Sequence, residues 1–241
     1  MSIDFDWIKK PVIEKKFKEL STAFESSLNT LAIGENHNYF EHLKTVLSNL
    51  SSKQNNKRID ENIQSIKAAT NGRELTPDEK STVEHLNNLK CSTYRIEFHS
   101  SDAGINAGLP GSLQFMRGGA IISYPKENPL GRRIVKAHEI GHLLLHIRFE
   151  GFNNDYPVRR SVESTNRKNI YTETQAFYFA ELLMKHRNEI CRKHKNLFTT
   201  ENNTYLPEDI TDTIKKIFKT HLNEEYNCSL IKDDLIDDAT V

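Results

Sequence analysis

Between Lys136 and His146 the sequence reads KAHEIGHLLLH, and no other stretch constrains the fold as much. Wound as a helix at about 100° per residue, it puts His142 roughly 40°, His146 roughly 80° and Glu139 roughly 100° from His138. Ile134, Ala137, Ile140, Gly141, Leu143, Leu144 and Leu145 take the remaining arc. All the polar side chains of this apolar helix therefore open on one side. A solvated face would be built from Lys, Glu and Arg rather than from three histidines.

His138-Glu139-Ile140-Gly141-His142 fits the pattern His-Glu-x-x-His. Residues four apart share a helix face, so two imidazoles can grip one zinc ion while the glutamate between them takes a proton from water activated by the metal. His146 is a tempting third ligand. In a continuous helix, however, it lies eight residues and roughly 12 Å of rise from His138, and Leu143-Leu144-Leu145 offers no glycine at which the chain could turn. It is expected beside a ligand, facing substrate or at the surface, in that order.

A third ligand must come from elsewhere. In YTETQAFYFAELLMK, from Tyr171 to Lys185, Glu173 shares a face with Ala176, Phe177, Phe179, Ala180, Leu183 and Met184. A carboxylate there needs a partner, for which zinc suffices, and the two alanines would let this helix approach the first one closely. A second reading is open on the same residues. If the helix starts near Tyr171, Glu173 sits in its first turn, where the dipole favours negative charge, and Thr172 with Gln175 forms a cap. Glu181 falls away from the stripe and is expected in solvent. Glu150 and Glu163 belong to a polar loop, about 150 to 170, and rank below Glu173 as ligands.

Elsewhere the first ninety residues read as helical. Ile13, Phe17, Leu20, Phe24, Leu28 and Leu31 make one stripe; Phe40, Leu43, Val46, Leu47 and Leu50 a second; Ile59, Ile63 and Ile66 a third, stopping at Asn71-Gly72. Ser51 to Lys57 is polar enough for a loose connector. Thr76-Pro77-Asp78-Glu79 opens a fourth helix with a capping box, continued by Val83, Leu86 and Leu89. Tyr94 to Phe98 alternates like a strand, and Leu113–Phe115 and Ala120–Tyr124 flank Arg117-Gly118-Gly119 like hairpin arms, so a small antiparallel sheet is expected. The tail from Pro207 onward is helical in pattern.

Thirty-three basic and 33 acidic residues cancel, so no whole-chain field recruits nucleic acid or anionic membrane. No signal-peptide core and no membrane-spanning run is visible, which predicts a cytoplasmic protein. Cys91, Cys191 and Cys228 are scattered, as suits a reducing compartment, and argue against a cysteine zinc site.

Taken together, Arg132 to His146 after a strand and an Asn128-Pro129 turn, followed by Glu173-Thr174-Gln175-Ala176 and Phe179 to Met184, resemble the ImmA/IrrE family of metallopeptidases over about residues 91 to 190. The resemblance implies an α+β, zincin-like fold, with helices packed on the small sheet, and one Zn2+ per chain held by His138, His142 and Glu173. It implies Glu139 as general base and hydrolysis of a protein substrate inside the cell; several family members cut a helix-turn-helix transcriptional repressor. The chain then divides into a helical region (1–90) for specificity or partner binding, a peptidase core (91–195) and a C-terminal helical extension (196–241). Two positions depart from the family pattern: Phe177 stands where Asn or Asp is usual, and Lys185 where proline is common. Tyr171, Tyr178 and His146 are candidates for stabilising an oxyanion. Competing readings are a protease toxin or effector acting on a host protein, and a non-catalytic zinc-binding regulator, against which the intact Glu139 argues. Direct DNA binding is disfavoured, because the helix from Thr76 leads into a strand rather than a recognition helix.

Overall fold

The computed structural model describes residues 8–90, 94–101, 111–116, 119–126, 129–146, 166–198 and 210–226. Helix α1 (Lys10–Ser27) carries a proline in its first turn and buries Ile13, Leu20 and Phe24, and a 3-10 turn (Leu28–Thr30) follows. Helix α2 (Tyr39–Ala69) starts at Asn38, whose carboxamide accepts from the amides of Phe40 and Glu41 at 2.9 and 3.3 Å.

The expected connector at Ser51–Lys57 is instead the middle of α2. The segment holds no glycine or proline, and its polar side chains have work to do. Ser51 and Asn55 are buried. Ser52 Oγ donates to the Ser48 carbonyl at 2.8 Å and accepts the Tyr94 amide at 2.9 Å, and Ser48 Oγ accepts the Ile96 amide at 3.2 Å. Polarity that reads as a loop covers a strand edge. The helix stops as expected, with Asn71 (φ 50°) and Gly72 (φ 87°) left-handed. Helix α3 (Pro77–Lys90) opens with the reciprocal capping box, Thr76 N to Glu79 Oε2 at 2.8 Å and Glu79 N to Thr76 Oγ1 at 3.3 Å. It lies on α2, half-burying Val83, Leu86 and Leu89.

Strands β1 (Arg95–Ser101), β2 (Ser112–Met116) and β3 (Gly119–Pro125) form a sheet in the order β1-β3-β2. The β2–β3 hairpin is antiparallel, Met116 opposite Gly119, as the sequence predicts. β1 runs parallel to β3, from Arg95 opposite Gly119 to Ser101 opposite Pro125, so the sheet is mixed rather than antiparallel. Alternation in β1 decides which side chains face the core, not which way the strand runs.

Helices α4 (Pro129–Leu145), α5 (Asn166–Lys193) and α6 (Ile210–Tyr226) complete the described elements. α4 packs on β3 and on α5, and α5 in turn meets α1 and α6. One continuous apolar cluster joins Phe24, Leu43, Ile122, Ile134, Leu143, Phe179 and Phe218, so α1 and α2 share the core that surrounds α4. The Lys136 ammonium sits 3.9 Å from the ring centre of Tyr124, 5.0 Å from Phe98 and 5.5 Å from Phe40, tying α4 to β3, β1 and α2 by cation–π contact. Burial pushes this amine down to about 8. The protein is a mixed α+β structure, mostly helical, and no helix among the described residues is long and apolar enough to cross a membrane.

Candidate metal centre

Two helices build the centre because they cross at small residues. A Cβ placed on Gly141 of α4 would stand 3.0 Å from the Ala176 Cα and carbonyl oxygen and 3.2 Å from Phe179 Cβ of α5. Backbones this close put a side chain of one helix within reach of the other's polar edge. α5 begins at Asn166, so Glu173 lies about two turns inside it, and the alternative reading of Glu173 as a first-turn carboxylate capped by Thr172 and Gln175 falls.

Glu173 is 1% exposed. Its Oε2 lies 3.0 Å from His138 Nε2 and 3.3 Å from His142 Nε2, and the two Nε2 atoms are 3.0 Å apart. Ligands 2.0–2.1 Å from a tetrahedral ion stand roughly 3.3 Å from one another, so these three atoms are spaced like corners of one coordination tetrahedron. A carboxylate buried here costs several kcal/mol in lost hydration, and a cation in its midst offsets that cost. Two imidazoles and one carboxylate are a donor set that suits zinc. The residues thus fit a metal ion on spacing, burial and donor chemistry.

Glu139 is likewise buried, one position beyond His138. Gly111, leading into β2, passes over it: a Cβ there would stand 3.2 Å from Glu139 Oε1 and 2.4 Å from Val135 Cγ1. His146 lies just past the end of α4 and outside the converging three. Its Nδ1 is 2.8 Å from His142 Nδ1 and its Nε2 is 3.0 Å from Gln175 Oε1. Gln175 was not anticipated in this place, and no local pattern pairs side chains 29 positions apart.

Phe177 forms an apolar wall beside His138. Its ring centre is 4.1 Å from that of His138 and 4.6 Å from that of Phe218 on α6. Glu181 is buried rather than solvated, accepting from Thr211 Oγ1 at 2.9 Å, because α6 lies across a face that helical periodicity in α5 alone leaves open. The Tyr178 hydroxyl donates to Glu14 Oε1 of α1 at 2.8 Å. Tyr171 is half-buried. Glu150 and Glu163, with Cys91 and Cys228, lie outside the described residues; Cys191 is a buried free thiol.

A second buried polar cluster, unforeseen in sequence, lies further along α5. Tyr39 O–H donates to His186 Nδ1 at 2.9 Å, and His186 Nε2 is 3.5 Å from Glu25 Oε1. Phe17 and Phe24 meet the His186 ring edge-on. Burial lowers the His186 pKa against the opposing pull of Glu25, and burial pushes the Tyr39 hydroxyl well up.

No family model, curated protein or solved structure matches this chain. The functional reading therefore rests on the side chains of the centre themselves.

Proposed function

We propose that the chain is a zinc-dependent endopeptidase that hydrolyses a protein substrate inside the cell, with His138, His142 and Glu173 as metal ligands and Glu139 as general base. The observation that carries this reading is the convergence of three buried donor atoms at 3.0–3.3 Å, beside a buried carboxylate on the same helix. A zinc ion in that place would supply Lewis acidity, acidifying a water molecule and drawing charge from a scissile carbonyl. Glu139 takes the proton from that water onto its carboxylate and returns it to the departing amine nitrogen, a single group serving as base and then acid. Phe177 excludes water behind His138 and holds the ring in place. A free buried thiol at Cys191 suits a reducing compartment. The resemblance to ImmA/IrrE peptidases favours a transcriptional repressor as the substrate.

Metal analysis of the purified protein tests the ligands. The wild type should carry one zinc per chain, and full occupancy in His138→Ala or Glu173→Ala would remove that residue from the ligand set. Glu139→Gln should keep zinc and lose cleavage; undiminished cleavage would end its role as base. The same variant, used as bait in the native cell, should retain the substrate that the wild type releases as fragments.

A further inference from the structure

We infer that Gln175, acting through His146, decides which ring nitrogen of His142 carries the proton and so keeps His142 Nε2 ready to bind a metal ion. The inference rests on reading His142 as a ligand, and it makes Gln175 and His146 positioning residues.

A neutral imidazole has one N–H and one lone pair. The 2.8 Å contact joins two like atoms, Nδ1 of His142 and Nδ1 of His146, so one must donate and the other accept. With both rings neutral, two arrangements of the relay satisfy these contacts. In the first, Gln175 Oε1 accepts from His146 Nε2–H at 3.0 Å, His146 Nδ1 accepts from His142 Nδ1–H, and His142 Nε2 is left bare toward His138 and Glu173. In the second, the carboxamide is turned so that its NH2 donates to His146 Nε2; both rings reverse, and His142 Nε2 presents a proton to the centre. The first arrangement ligates a metal and the second cannot.

The fold holds the relay in register. The His146 amide still bonds the His142 carbonyl at 3.0 Å, which keeps the two rings one turn apart beyond the end of α4. The close crossing at Gly141 and Ala176 that delivers Glu173 also brings Gln175 alongside His146. Ligating histidines are commonly oriented by a hydrogen bond on their other nitrogen; here a second imidazole stands between the ligand and the group that sets its direction.

The test uses the full chain with zinc alone as the probe. Affinity is read by chelator competition, and the protonated nitrogen of each ring by nitrogen-15 NMR on zinc-free protein. Gln175→Leu keeps the size and loses the acceptor, so it should weaken zinc binding by about 10–100-fold. Gln175→Glu, which accepts and cannot donate when ionised, should bind zinc at least as tightly as the wild type, the added negative charge also favouring the cation. In the wild type the protons should sit on Nε2 of His146 and Nδ1 of His142, and in Gln175→Leu the His142 ring should populate both tautomers. Wild-type affinity in Gln175→Leu, equal loss in both variants, or a proton on Nδ1 of His146 in the wild type would each overturn the relay. Failure of the metal reading looks different: the wild type itself takes up no zinc, and the ring assignments in zinc-free protein then decide the relay alone.

Discussion

Helix α5 carries two buried polar clusters, and they are closed in different ways. Toward its N-terminal end Glu173 meets two imidazoles from a single neighbouring helix, and three donor atoms point at one centre. Toward its C-terminal end His186 meets Tyr39 of α2 and Glu25 of α1 in pairs, hydroxyl to ring nitrogen and ring nitrogen to carboxylate, with Phe17 and Phe24 filling the rest. Burial of polar groups therefore does not mark a site. What marks one is several donors converging where a cation would satisfy all of them together.

If that distinction holds, the two clusters respond to different insults. The largest effect is expected at Glu173→Ala, whose zinc affinity should fall by more than about 100-fold, beyond the loss typical of an outer hydrogen-bond partner; titration against a competing chelator measures it. Phe177→Ala should cost about 3–5 kcal/mol in urea unfolding, as removal of a buried aromatic does, and should loosen zinc as well because the ring backs His138. Gly141→Ala sets two effects in opposition. Helix propensity favours alanine by about 1 kcal/mol, and the clash with Ala176 costs about 1–3 kcal/mol, so the variant should be less stable and bind zinc more weakly. Tyr39→Phe should cost about 1–2 kcal/mol, by leaving His186 Nδ1 without its donor, and should leave zinc uptake untouched. A change in zinc affinity there would dissolve the contrast between the clusters.

The smallest effect concerns pH. Burial holds the His186 pKa below that of a free imidazole, so the unfolded chain takes up the proton first as pH falls. The contribution is fully present above about pH 6.5, the free value, and is lost as pH drops toward the folded one. His186→Gln should flatten that part of the stability profile, read as urea midpoints from pH 7 to pH 5 on chelator-treated protein.

Much of the candidate site was legible in the sequence because its geometry is local. Four-residue spacing aligns His138 with His142, and the stripe around Glu173 shows a carboxylate on an apolar face. Helix rise, with no glycine in Leu143-Leu144-Leu145 to turn the chain, kept His146 out of the first set of ligands. What could not be read depends on elements that meet only in three dimensions. Gln175 passes for a cap until α5 is seen to begin at Asn166. Glu181 passes for a surface residue until α6 covers it. In the fold, the capping box at Thr76 and the β2–β3 hairpin were visible as local chemistry, whereas alternation in β1 carries no signal of the direction in which it pairs with β3. Ser51 to Lys57 misled for a further reason: a serine such as Ser52 serves a strand edge and a loop equally well.

That strand edge has a consequence for assembly. The outward amides of Tyr94 and Ile96 are taken by serines of α2, so the β1 side offers a newcomer no complete ladder.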